Sequence, residues 1–201
     1  QGRTPADFEL NFAVNHLGHF AWTGLLLPCV LAAPAGRVVS VSSVMHRGIA
    51  FDSADVPRPR RFDGARAYGS SKLAVLLFAY ELDRRLRDAG TAALSLACHP
   101  GYTETDSAQA DVRFAGPLSR RLASRMAKRV LGQTAEHGAL PSLFAATADG
   151  LCGGEYIGPS RLLGLRGPPV IGRSSPESHD RSAAQQLWQI SETLSGVRYR
   201  F

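Results

Sequence analysis

The sequence predicts an α/β fold built on a parallel sheet, and three observations carry that reading. Stretches with apolar residues at helical spacing alternate with short apolar or β-branched runs in helix–strand order. Each strand-like run follows a helix-like one, as right-handed crossovers between parallel strands require. Apolar residues make up 44% and charged residues 20%, ordinary globular usage, which excludes disordered and fibrous architectures. Neither an internal repeat nor a linker divides the chain, so residues 1–201 read as one domain.

Asp7 to about Leu31 reads as a helix, with Thr4-Pro5-Ala6-Asp7 as its start signal and Pro34-Ala35-Gly36 as its stop. Arg37 to Ser42 (RVVSVS) reads as a buried strand, and Met45 to Asp63, with Pro57 and Pro59, as a surface loop. Arg66 to Asp88 returns to a helix, stopped at Gly90, and Ala92 to Cys98 is a second buried strand, closed by His99-Pro100-Gly101. Leu118 to Val130 and Ala135 to Ala148 read as helices, Gly153 to Gly158 as a short third strand, and Gln185 to Leu194 as a final helix. Three strands are few for a sheet of this kind, so a complete doubly wound domain needs more chain on one side.

Net charge is +6, with a pI near 9.7 and only Lys72 and Lys128 as lysines. Arginine in an Ala- and Gly-rich chain fits a coding preference better than a nucleic-acid partner, so no nucleic acid is expected. Cys29, Cys98 and Cys152 are odd in number and lack CxxC spacing. They support neither a disulfide framework nor a zinc knuckle, and they point to a reducing, cytoplasmic setting. Leu10 to Gly36 carries no charge, but Asn11, Asn15, His16, His19, Pro28 and Pro34 argue for a buried soluble helix rather than a membrane span. No signal peptide opens the chain, which does not start with Met. His16 and His19 lie three apart on a helix without a matching carboxylate or cysteine, so no metal site is expected. His99 before Pro100 reads as structural, and the arginines at 58–61, 84–87 and 120–129 as solvated faces and helix-end charge.

The sharpest chemical signal is Tyr68-Gly69-Ser70-Ser71-Lys72, at the start of an amphipathic helix. Residues four apart share a face, roughly 6 Å apart along the axis. A lysine cation beside a phenol favours the phenolate, and such a tyrosine can exchange a proton with an alcohol or carbonyl oxygen. Ser42 and Ser43 end the first strand and Pro100-Gly101 follows the second, at the carboxyl ends where open parallel sheets bind ligands. A serine hydroxyl there can donate to an oxygen on which charge develops. His46, three after Ser43, is a conceivable base for a serine nucleophile, but the GxSxG elbow is missing and Tyr68 and Lys72 would stand idle.

With these motifs in order, the sequence resembles the short-chain dehydrogenase/reductase family over almost the whole chain. Asn15 in VNHLGHF looks like its helix asparagine, RVVSVSS like its serine strand, YGSSK like its tyrosine–lysine signature, and HPGYTET like its PG-x-x-x-T segment. The wording FAVNHLGHFAWTGLLLP, RAYGSSKLAVLLF, GALPSLFAAT and GGEYIGP is most similar to the retinol-dehydrogenase-like and protochlorophyllide-reductase-like branch. The resemblance implies the C-terminal part of a Rossmann-type doubly wound parallel sheet and an NAD(P)-dependent exchange of alcohol and carbonyl. It implies Tyr68 as general acid or base, and Lys72 as the cation lowering the tyrosine pKa and bonding the nicotinamide ribose. It implies Ser43, rather than Ser42, as the hydroxyl polarising the carbonyl, and Asn15 as holder of a relay water. Thr103, by its backbone, and Thr105, by its hydroxyl, would contact the nicotinamide carboxamide, Pro100 and Gly101 would belong to the cofactor site, and residues 104 to about 125 would form a substrate lid.

One departure is large. The glycine-rich GxxxGxG turn that receives dinucleotide phosphates in the family is not in this sequence, and neither is the residue choosing NAD or NADP. Gly150, Gly154 and Gly158 lack the strand–turn–helix context and do not replace it. By the resemblance the chain corresponds to the C-terminal two-thirds of a longer protein. The RVVSVS strand then lies bare at a sheet edge, and the chain alone binds cofactor weakly if at all. The partner expected of the whole enzyme is a small, lipophilic alcohol or carbonyl, with homo-oligomer pairing through the asparagine and tyrosine helices. The alternative is a non-catalytic fragment or interaction module.

Overall fold

The structure, a computed structural model, describes residues 2–53, 55, 57, 63–103 and 132–201. Glu9 opens the first helix, its carboxylate accepting Phe12 N–H at 2.8 Å and Asn11 Nδ2 at 2.9 Å. One α turn, α1 (Leu10–Phe12), leads into a π-helical turn (Ala13–Leu17) and then α2 (Gly18–Ala32). Strand β1 (Arg37–Val41) ends in a 3-10 turn (Val44–His46). Asp63 caps α3 (Gly64–Asp88), its carboxylate accepting the N–H groups of Ala65 and Arg66. Then come β2 (Leu94–Cys98), α4 (Ala135–Thr147), β3 (Tyr156–Arg161), β4 (Arg166–Gly172) and α5 (Arg181–Ser195). The expected helix over residues 118–130 and the expected lid lie outside the described residues.

The sheet has the order β1-β2-β3-β4, with β1, β2 and β3 parallel and β4 antiparallel. Among the described residues β1 is an edge strand, as the sequence reading expects. Strand β4 is a correction to that reading: RGPPVIG, with two prolines, does not look like a strand. An outer strand tolerates proline because one row of its backbone groups has no ladder to complete, and Pro169 stands opposite Pro159. The third strand begins later than expected, at Tyr156, because Gly153 and Gly154 turn with positive φ around the Asp83 carboxylate.

Alternation along β2 fills both faces of the sheet. Leu96 and Cys98 pack with Ala145 of α4, whereas Ala97 packs with Leu76, Ala79 and Tyr80 of α3. Every residue of α3 from Leu73 to Asp83 is buried, since the sheet covers one side and α1, the π turn, α2 side chains and α5 the other. Burial extends to Glu81 and Asp83, which corrects the reading of the arginines at 84–87 as merely solvated. Arg84 and Arg85 grip the Glu81 carboxylate at 2.6 and 2.8 Å and Arg87 pairs with Asp83, neutralising charges the helix carries into the core.

His16 is buried among Phe12, Phe20 and Phe78. Ser191 Oγ donates to Leu187 O, so His16 Nε2–H donates to Ser191 Oγ at 2.7 Å and Nδ1 stays bare. Burial, with the neighbouring His19, holds the His16 pKa down to about 3. The unfolded chain takes this proton near the ordinary 6.5 and the folded chain only near 3, so acid favours unfolding between those values. The urea midpoint is expected to fall more steeply from pH 6.5 to 3 in the native chain than in His16→Asn; parallel profiles would refute this.

Candidate active site

The π turn, the end of β1 and the 3-10 turn after it converge on the N-terminal part of α3. The π turn, closed by Gly18 N–H on Ala13 O, widens the helix at Asn15. Asn15 Nδ2 donates to Ser71 Oγ at 3.0 Å, and Ser71 Oγ donates to Tyr68 O at 2.7 Å, so asparagine and tyrosine are joined through one hydroxyl. Asn15 O accepts His19 Nδ1–H at 3.0 Å.

The end of β1 meets the same helix. Ser42, buried, donates to Lys72 O at 2.8 Å, and Lys72 Nζ donates to Val41 O at 3.0 Å. The ammonium stands 5.6 Å from the centre of the Tyr68 ring. Burial lowers the Lys72 pKa from its ordinary value, opposed by the neighbouring Cys98. Ser43 Oγ accepts Met45 N–H at 3.3 Å, which leaves its own proton free to donate elsewhere. Gly69 lets the turn after Ser43 approach the Tyr68 helix: a β-carbon there would lie 2.7 Å from Met45 O.

A cleft of about 350 Å³ runs along the bare side of β1, between Val38–Val41, Asn15 and His19, and Lys72 and Phe78 of α3. Asn15 and Lys72 line it; Tyr68 and Ser43 do not, and they join it through Lys72 and the β1 end.

After β2, Pro100 O accepts Thr103 Oγ1–H at 3.2 Å and Gln133 Nε2–H at 2.6 Å. Gly101 takes φ +71°, and a β-carbon there would strike Leu165 O at 2.4 Å. Thr105 lies outside the described residues. Sequence reasoning missed Gln133, which also accepts Gly167 N–H at 3.2 Å and so ties the turn to β4. The only local signal is its position just before the Thr134 cap. His99 stacks on Tyr156 and accepts Gly101 N–H at 3.3 Å, a structural role. Burial foremost, then His46 and Arg47, lower its pKa to about 4.

Gly154 and Gly158, two of the late glycines, are committed to close packing, against Asp83 and against the His99 ring. Among the described residues no group of three or more His, Cys, Asp or Glu could hold a metal ion. Nor is any described helix long and apolar enough to cross a membrane.

Residues 3–114 match the family model described as short chain dehydrogenase. The chain is 35% identical to human retinol dehydrogenase 12 over 201 residues, covering 98% of this chain and 57% of that protein. It is 32% identical to mouse retinol dehydrogenase 14, covering 97% and 55%. A crystal structure of an uncharacterised protein from Mycobacterium paratuberculosis superposes with a TM-score of 0.74 at 35% identity, covering 96% of this chain and 61% of that one. The chain thus spans somewhat over half the length of these curated relatives.

Proposed function

The chain belongs to the short chain dehydrogenase family, and from that premise we propose that it supplies the catalytic part of an NAD(P)-dependent oxidoreductase interconverting a lipophilic alcohol and its carbonyl. The observation that carries this is the place of the Lys72 ammonium, beside the Tyr68 ring and bonded to Val41 O, two residues before Ser43. Phenol, cation and hydroxyl then belong to one constellation at the carboxyl end of β1, where an open α/β sheet takes its ligand.

The roles follow from what each atom has left to give. Tyr68 Oη hands its proton to the substrate oxygen in reduction and takes it back in oxidation. Ser43, accepting from Met45 N–H, turns its own O–H toward the same oxygen and stabilises the charge that develops there. Lys72 uses one of three N–H donors on Val41 O, which leaves donors for ribose hydroxyls. Asn15, through Ser71, holds the backbone of Tyr68 in register and lines the cleft beside Lys72. Thr103, with Pro100 and Gly101, forms the turn for the carboxamide, a role extended by Thr105. Bound, the dinucleotide supplies or accepts the hydride.

These residues fit the nicotinamide end of such a cofactor. The diphosphate end is not provided for: the 201 residues contain no GxxxGxG, and Gly154 and Gly158 serve packing. Fluorescence titration of the 201-residue chain with NADPH is expected to show no saturation through the micromolar range; a saturable micromolar isotherm would overturn this. The function itself is tested in the full-length protein by NAD(P)H-dependent reduction of lipophilic aldehydes. Exposed Trp22 and Leu25 on α2 support pairing of two copies through that helix.

A further inference from the structure

His46 follows the proposed hydroxyl donor by three residues and is completely buried. Its ring bonds backbone on both sides. Ser175 N–H can only donate, and it reaches His46 Nε2 at 3.1 Å. The ring proton therefore sits on Nδ1, which donates to Ser43 O at 2.5 Å; the same oxygen accepts His46 N–H at 3.2 Å. Burial lowers the His46 pKa and preserves this neutral form. Arg47 adds a second tie to the same segment, donating to Arg173 O at 2.9 Å.

On its other side that segment is bound to the tyrosine helix. Ser174 Oγ lies 2.7 Å from Tyr80 Oη of α3 and 2.7 Å from Ser178 Oγ. His179 stacks on the Tyr80 ring, 4.7 Å between centroids. Residues 173–179 therefore bridge the turn that carries Ser43 and the helix that carries Tyr68 and Lys72. The spacing between those two elements decides whether two groups can address one substrate oxygen, and a misplacement of an ångström there is felt strongly in rate.

We propose that His46 is a positioning residue for Ser43, pinning its carbonyl to the 173–179 strut and thereby aiming its hydroxyl at the substrate oxygen. This rests on Ser43 being the hydroxyl donor. The test uses the full-length protein and four variants: His46→Leu, His46→Asn, Ser43→Ala and the double variant His46→Leu/Ser43→Ala. His46→Asn keeps a short amide able to donate to Ser43 O but falls short of Ser175 N–H, so it cuts the tie to the strut and spares the one to Ser43.

His46→Leu is expected to lower kcat about 10- to 100-fold with KM within about 2-fold of native, and His46→Asn to lower kcat less, in the same pattern. Added to Ser43→Ala, the His46 change is expected to alter kcat by less than about 2-fold, because residues acting as a unit are not additive. Undiminished kcat in both His46→Leu and His46→Asn, or an equal loss with and without Ser43, would overturn the positioning role. If His46→Leu does not fold, His46→Asn, alone and with Ser43→Ala, carries the same comparison. Full turnover by Ser43→Ala would instead sink the reading of the site, and the role of His46 with it. Nitrogen-15 spectra of the ligand-free protein give a readout apart from turnover: the His46 proton is expected on Nδ1, and a proton on Nε2 would contradict the strut.

Discussion

Tyr68→Phe in the full-length protein is expected to lower kcat for carbonyl reduction about 10²- to 10⁴-fold, the range that a positioned proton donor contributes. Fold and cofactor affinity should survive, because the Tyr68 backbone is what holds the helix: its carbonyl accepts Ser71 Oγ–H, and the ring keeps its place beside Lys72. Removing one oxygen therefore isolates proton transfer from architecture. Steady-state kinetics with a lipophilic aldehyde, alongside a cofactor titration of the same variant, make the measurement. Turnover within about 3-fold of native would refute the role of Tyr68, whereas a loss of turnover together with cofactor binding would point to a damaged site.

The second large effect is on stability. Gly101→Ala is expected to lower the unfolding free energy by about 3 kcal/mol, from left-handed backbone strain plus overpacking against a rigid neighbour. Gly101 has φ +71°, and the new methyl would meet Leu165 O at 2.4 Å and Leu165 C at 2.9 Å, backbone atoms that cannot rotate aside. Gly90 is the control. It has nearly the same φ, +68°, with nothing within 4 Å of a β-carbon, so Gly90→Ala should cost only the strain, about 1 kcal/mol. Urea denaturation of the two variants measures the difference, and equal losses would mean that the Gly101 turn relaxes freely. Tyr102 N–H donates to Leu165 O at 2.8 Å, so a shift there would also move Thr103.

Individual elements show how far local pattern reaches. RVVSVS, LSLAC and the Ala- and Leu-rich run after Tyr68 declare themselves by composition and by stop signals such as Gly90, and the structure has strands and a helix there. RGPPVIG does not, because its strand character comes from lying on β3 at the outside of a sheet, where proline is harmless. The same limit separates Glu81 and Asp83 from ordinary surface acids. A carboxylate on an amphipathic helix looks solvated until a second layer covers it, and here α5 brings Trp188 to within 4.2 Å of the Arg85 guanidinium.

The site divides along the same line. Tyr68, Lys72 and the serines that end β1 were legible as candidate residue types, since proton transfer to a carbonyl needs a phenol, a cation and a hydroxyl whatever scaffold carries them, whereas Asn15 and the choice of Ser43 came from the family resemblance. The sequence by itself determined that inventory, the alternating α/β order and the lack of a phosphate-binding glycine turn. Tertiary structure alone decided which groups support them: Ser71 joining Asn15 to Tyr68, Ser42 tying β1 to α3, Gln133 bracing the turn after β2, and His46 reaching Ser175 across 129 positions. Such partners are chosen by distance in space, and a hydrogen bond between residues far apart in the chain leaves no periodicity for a linear reading to detect.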